Sequence, residues 1–230
     1  MLAIVTGASR GIGLETVKEL AKNSQMPVIA VSRNPAGLDK LFQKNNLHNV
    51  LALKADISTA KGRAQVLTLV KKLQLPVQIL VNNAGTLLKK DFQKISEKEL
   101  QTVYTANVFA PFLLTQLLIP HFGKSAHIVN ISSMGGVQGS AKFAGLSAYS
   151  SSKGALSVLT ECLAEELKPK QISVNCLAIG AVQTEMLGKA FPGYKAPLTP
   201  QQMGAYVAEF AQKAHRFYNG KILSVSSTTP

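Results

Sequence analysis

Two periodicities alternate along this chain of 230 residues. Short apolar runs between turn residues read as strands buried on both faces, and stretches with apolar positions three and four apart read as helices. The first run, residues 2–5, predicts a strand, and residues 14–21 the helix after it. Residues 28–31 predict a second strand and 38–44 its helix; residues 50–53 predict a third, with Ser58 placed to cap a helix reaching Leu73. Pro76 closes that segment ahead of a fourth strand at 77–81. Ser96-Glu97-Lys98-Glu99 is a capping box opening another helix. Residues 127–131 read as a fifth strand, 147–167 as a long helix halted at Pro169, and 172–177 as a sixth strand. Thr199-Pro200-Gln201-Gln202 opens a last helix, with Thr at the cap, Pro at the first position and Gln at the third, and residues 221–225 predict a final strand. Strand and helix alternating in this way argue for an α/β fold with a doubly wound parallel sheet. With no repeat, low-complexity tract or linker, residues 1–230 are expected to form a single domain.

Composition narrows the function classes. Cys162 and Cys176 have apolar neighbours and no metal-ligand spacing, so they read as buried free thiols of a cytoplasmic protein. The chain opens directly in a strand, so no signal peptide is expected. The longest apolar stretch, 108–119, is interrupted by Pro111, Thr115 and Gln116 and falls short of the roughly 20 residues of a membrane span, so no membrane partner is expected. The net charge of +13 admits a nucleic-acid partner. Its lysines are scattered, however, with clusters as short as Lys71-Lys72 and Lys89-Lys90, and no aromatic RNA-binding signature accompanies them. They read as solvated surface, with no nucleic acid bound.

Chemistry concentrates at two places. Thr6-Gly7-Ala8-Ser9-Arg10-Gly11-Ile12-Gly13 lies between the first strand and the first helix. Strand, glycine-rich turn and helix are the context of a dinucleotide site: glycines let the backbone approach a pyrophosphate, and the helix N-terminus offers it free N–H groups. The spacing is G-x-x-x-G-x-G. Far along the chain, Tyr149 and Lys153 stand four residues apart on one helix face. A phenol has a pKa of roughly 10, and a nearby cation favours the phenolate, moving it toward working pH.

With these motifs in order, the chain resembles the short-chain dehydrogenase/reductases over nearly all its length, from Leu2 to about Val225. The resemblance also rests on Asp56-Ile57 after the third strand, Asn82-Asn83-Ala84-Gly85 after the fourth, Asn107 in a helix, and Ile131-Ser132-Ser133 ending the fifth. It implies a Rossmann-like fold and roles for particular residues. Tyr149 is then the general acid in carbonyl reduction. Lys153 holds the nicotinamide ribose and lowers the phenol pKa, Ser133 hydrogen-bonds the substrate oxygen, and Asn107 holds a proton-relay water. Ser132 is the rival for the serine role; the family's serine is the later one. Gly7, Ser9, Arg10, Gly11, Ile12 and Gly13 would cradle the cofactor. Asp56 would accept from the adenine amino group with Ile57 packed nearby. Asn82, Asn83, Ala84 and Gly85 would place backbone at the adenosine ribose and brace the sheet. Gly180, Val182 and Thr184 would meet the nicotinamide carboxamide. The resemblance also implies a homodimer or homotetramer, with Phe109, Phe112, Leu156 and Leu159 either on that face or in the core.

The end of the second strand reads Val31-Ser32-Arg33-Asn34, without the carboxylate that would hold the ribose hydroxyls of NAD. Arg33 can pair bidentately with a 2′-phosphate, Arg10 can approach it, and Ser32 and Asn34 add donors, so NADP(H) is the expected cofactor. The chain departs from the family in a longer interval between Ser133 and Tyr149, in Ile179-Gly180 where Pro-Gly is usual, and in an ending Ser226-Ser227-Thr228-Thr229-Pro230 without Asp-Gly-Gly. The second departure predicts a less rigid nicotinamide-side loop. Substrate choice is expected to rest on residues 87–92, 139–146 and 186–197, the last a short mobile lid over a mainly apolar pocket. A ketone or aldehyde with an apolar body fits. Alternatives are a 3-oxoacyl thioester, a pterin-type ring carbonyl, or a nucleotide-sensing regulator without turnover.

Overall fold

The computed structural model describes residues 1–24 and 26–226. Seven parallel strands form one sheet in the order β3-β2-β1-β4-β5-β6-β7. They are β1 (Leu2–Thr6), β2 (Val28–Ser32), β3 (Val50–Lys54), β4 (Val77–Asn82), β5 (Phe122–Ser133), β6 (Ser173–Ile179) and β7 (Ile222–Val225). The order reverses between β1 and β4, which opens a crevice at the strands' carboxyl ends. β5 begins earlier than its apolar run suggests. Its register against β4 slips between Val77 and Ile79, and Gln78 Nε2 bridges the slip by donating to the Lys124 and Ser125 carbonyls at 3.1 and 2.8 Å.

β1 is buried along its whole length, so its alternate side chains feed two separate cores. Ala3 and Val5 join the core under α1 (Gly11–Asn23), α2 (Leu38–Lys44) and α8 (Pro200–Lys213). Leu2 and Ile4 join the core under α3 (Ala60–Leu73), α5 (Ala110–Leu118) and α6 (Ser147–Glu166). A strand between two helix layers has no polar face to show, which is why these runs lack alternation. Both expected capping boxes form, Ser96 with Glu99 at α4 (Glu97–Tyr104) and Thr199 with Gln202 at α8. The cap of α3 is Thr59 rather than Ser58: the Thr59 hydroxyl accepts from the Gly62 N–H at 3.0 Å, while the Ser58 N–H is taken by Asp56 Oδ1.

α4 and α5 are one continuous helical path joined by a π-turn, Thr105–Phe109. Together, Glu97–His121 is long and apolar enough by length and composition to cross a membrane. Here it is a sheet-packed helix, with Val103, Ala110, Leu114 and Leu118 buried. Of the two cysteines, Cys176 is buried as expected, but Cys162 is exposed on α6. The ending at 227–230 lies outside the described residues.

Candidate active site

The glycine-rich turn is shaped by contacts that exclude side chains. Gly7 and Gly11 have φ of +69° and +58°, a region disfavoured for other residues. A Cβ on Gly13 would lie 2.4 Å from the Gly7 carbonyl oxygen, and one on Gly7 would lie 2.8 Å from Ala84 Cα. The neighbouring strand grips the turn. Thr6 Oγ1 accepts from the Asn83 and Ala84 N–H groups at 3.1 and 3.0 Å, and Asn83 Nδ2 donates to the Thr6 and Gly7 carbonyls at 2.9 and 3.2 Å. Asn82 points elsewhere and ties β4 to β5, donating to Asn130 Oδ1 at 2.8 Å. α1 starts with neither a side-chain cap nor an acid in its first turn, so its N–H groups and positive dipole end remain available to an anion. Ser9 and Ile12 flank that turn, both partly exposed.

At the end of β2, the buried Ser32 hydroxyl has no hydrogen-bond partner among the described residues, and Arg33 and Asn34 are exposed beyond it. Asp56 uses one carboxylate oxygen on the Ser58 N–H at 3.0 Å, and Ile57 beside it is buried. A glycine cradle, an unpartnered hydroxyl and an open guanidinium fit an adenine dinucleotide. Arg10 does not join Arg33. It turns across the crevice to Glu185 Oε2 at 2.5 Å, because the carboxylate that opens α7 (Glu185–Ala190) is the nearest counter-charge.

The catalytic candidates converge where β5 meets α6. Lys153 is 5% exposed, and its Nζ donates to the Ile131 carbonyl at 2.8 Å. Burial lowers its pKa to about 8. Its Nζ lies 5.9 Å from the centre of the Tyr149 ring. Burial pushes the Tyr149 phenol up, and a hydrogen bond with Ser133 pulls it down. The expected lowering by Lys153 is not among the causes, and the Ser133 bond alone is outweighed by burial. The two serines separate cleanly. Ser132 is buried and donates to the Lys153 carbonyl at 2.9 Å, whereas Ser133 is partly exposed and turned toward Tyr149.

Asn107 sits in the π-turn with its side chain fully engaged. Nδ2 donates to the Thr86 carbonyl and to Ser152 Oγ, both at 2.9 Å, and Oδ1 accepts from the Thr86 N–H at 2.8 Å. Pro111, four residues on, has no N–H, so the Asn107 carbonyl loses its α-helical donor. Gly85 completes this wall: a Cβ there would fall 2.9 Å from Asn107 Oδ1 and 3.4 Å from Lys153 Nζ.

Three segments surround this cluster. Lys89 Nζ donates to the Ala190 carbonyl at 2.9 Å and lies 4.2 Å from the centre of the Phe191 ring, and Phe191 meets Phe143 edge-on at 6.1 Å. The Lys90 N–H donates to the Gly145 carbonyl at 2.9 Å. Segments 87–92, 139–146 and 186–197 thus touch one another. α7 is tethered at both ends rather than loose, through Glu185 and through Lys89. The Ile179-Gly180 segment is also held: Ile179 pairs with Val225 and the Gly180 N–H donates to the Val225 carbonyl at 2.9 Å. Sheet pairing there replaces the stiffness of proline. Val182 bridges to Leu198, and Thr184 caps α7 by accepting from the Leu187 N–H at 3.2 Å.

Sequence reasoning missed the braces: Thr6, Ser152 and the role of Pro111. Only Pro111 leaves a local signal, a proline inside a helical pattern. Among the described residues no group of three His, Cys, Asp or Glu is placed to hold a metal ion.

The model of the short chain dehydrogenase family matches residues 1–195. The chain belongs to that family. It is 36% identical to an L-xylo-3-hexulose reductase of Hypocrea jecorina, over 84% of this chain and 70% of that one. It is 30% identical to an uncharacterized oxidoreductase of Methylorubrum extorquens, over 98% and 96%. Among solved structures it is similar to a 3-ketoacyl-(acyl-carrier-protein) reductase from Brucella melitensis complexed with NADH, at a TM-score of 0.86 and 29% identity, covering 97% of this chain and 96% of that one. It is equally similar to a short chain dehydrogenase from Burkholderia cenocepacia J2315 in complex with NADP, at 0.87 and 25%, covering 99% and 97%. The protein is thus an oxidoreductase of this family, with a nicotinamide cofactor.

Proposed function

We propose that the protein is an NADP(H)-dependent reductase that converts a small ketone or aldehyde to an alcohol. The observation that carries this reading is the convergence of Ser133, Tyr149 and Lys153 beside the glycine cradle at the carboxyl ends of the strands. When bound, the nicotinamide would supply the hydride. Ser133 positions and polarises the carbonyl oxygen, and Tyr149, whose phenol Ser133 pulls down in pKa, donates the proton to that oxygen. Lys153 lies close enough to steady the phenolate that results, and a water on the Asn107 carbonyl returns a proton toward it. Thr184 faces the glycine turn, where a Cβ on Gly11 would lie 3.6 Å from Thr184 Cγ2. The NADP(H) preference is supported by Arg33, which makes no ion pair among the described residues, and by the unpartnered Ser32 hydroxyl. The keto-sugar reductase among the relatives supports a ketone substrate.

The exposed Phe109, Phe112, Leu113 and Val158, at 51%, 42%, 36% and 59% exposure, form the face for a homodimer or homotetramer; Leu156, at 1%, belongs to the core. Two substitutions test the reading. Tyr149→Phe should bind NADPH normally and lose carbonyl reduction by about 10²- to 10⁴-fold; retained turnover places the acid elsewhere. Arg33→Asp should weaken NADPH far more than NADH, and equal losses would remove the NADP(H) preference.

A further inference from the structure

Arg10 and Glu185 face each other across the mouth of the cofactor crevice. Arg10 immediately precedes α1, and Glu185 is the first residue of α7, directly after Thr184. The two walls are close there: a Cβ on Gly11 would lie 3.6 Å from Thr184 Cγ2. One carboxylate serves two cations, taking Arg10 on Oε2 at 2.5 Å and Lys189 on Oε1 at 2.6 Å. Lys189 and then Arg10 hold its carboxyl below the usual range, so it is ionised at neutral pH. Arg10 is the one cation within residues 6–13. Arg33, exposed at the end of β2, makes no ion pair among the described residues.

We infer that Glu185 tunes cofactor preference by competing with the 2′-phosphate for Arg10, and that the same ion pair straps α7 to the cofactor turn until the phosphate displaces it. This rests on the NADP(H) reading above. The chemistry sets the direction. Guanidinium binds a dianionic phosphate bidentately and more strongly than a single carboxylate oxygen, whereas the 2′-hydroxyl of NADH brings no charge to the contest. The pair is solvated, with side chains 65% and 48% exposed, so it is weak enough to exchange. Within α7 itself, Glu185 in the first turn and Lys189 in the last suit the helix dipole.

The test is a calorimetric cycle on the whole protein with NADPH, NADH and 2′,5′-ADP as probes, using wild type, Glu185→Gln, Arg10→Gln and the double variant. Glu185→Gln should tighten NADPH and 2′,5′-ADP by about two- to fivefold, the span of an exposed pair, and leave NADH unchanged. The gain should vanish in the Arg10→Gln background. Equal tightening of all three nucleotides, no tightening, or a gain that persists without Arg10 overturns the competition. Hydrogen exchange of the α7 amides without nucleotide reads the strap separately: each single variant should speed it, and unchanged exchange in both removes the strap. If wild type prefers NADH and Arg33→Asp leaves the ratio of the two affinities unaltered, the NADP(H) reading has failed, while faster α7 exchange still establishes the strap.

Discussion

Lys153 and His127 are both buried basic side chains against β5, and burial lowers both pKa values, yet it leaves them in opposite states. Lys153 comes down to about 8 and is mostly charged at neutral pH. His127 comes down to about 4 and is neutral. Its partners agree: Nδ1 faces the Ala211 carbonyl at 3.0 Å and so carries the proton, while Nε2 accepts from Asn175 Nδ2 at 3.0 Å. Desolvation acts alike on the two, and the difference is the starting value. The lysine begins far enough above neutrality to stay a cation after burial, so its end of the strand can hold charge beside Tyr149. The histidine becomes a neutral joint between β5, β6 and α8. Position at the carboxyl end of the sheet and surviving charge together distinguish the candidate site.

That contrast can be broken experimentally. The largest expected effect is from Lys153→Met, which removes the buried charge and the bond to Ile131. Carbonyl reduction should fall by about 10²- to 10⁴-fold, with weaker NADPH binding. A variant with near-normal turnover would show that the buried cation is structural, like the histidine. The next effect is on stability against pH. Both native pKa values lie below the unfolded ones, so the unfolded chain binds more protons between each pair of values and stability rises with pH in two windows. For His127 the window is about pH 4 to 6.5, corresponding to about 3 kcal/mol. For Lys153 it is about pH 8 to 10.5. Denaturant titrations at pH 4, 6.5, 8 and 10 check this; His127→Gln should flatten the acid window and leave the alkaline one. The smallest effect is at the rim. Lys89→Ala loses an exposed cation–π contact of about 0.5–1 kcal/mol and the bond to Ala190, so KM should rise a fewfold with kcat nearly constant. A large fall in kcat would place Lys89 in the chemistry.

Much of this molecule was readable from local pattern. The strands, both capping boxes and the glycine turn are set by neighbours within a few residues, and the wholly apolar run at 2–5 foretold a strand covered on both faces. The choice of Ser133 over Ser132 came from the family resemblance; in the structure the two point to opposite faces of β5, as adjacent strand residues do. What the reading missed was set either by partners far away in sequence or by a one-residue offset at a helix end. Arg10 is 175 residues from Glu185. Ser58 lost the cap of α3 to Thr59, a one-residue error typical of helix ends. Phe109 and Leu156 look alike in composition, yet one faces outward and the other inward.

The order of residues was enough to dictate the alternating fold, the family, and the two motifs that gather the candidate site, because each depends on short-range spacing or on backbone freedom at glycine. Folding had to settle the charge states and the pairings. A lysine's pKa depends on how much water surrounds it, and an arginine's partner on which carboxylate the topology brings within reach.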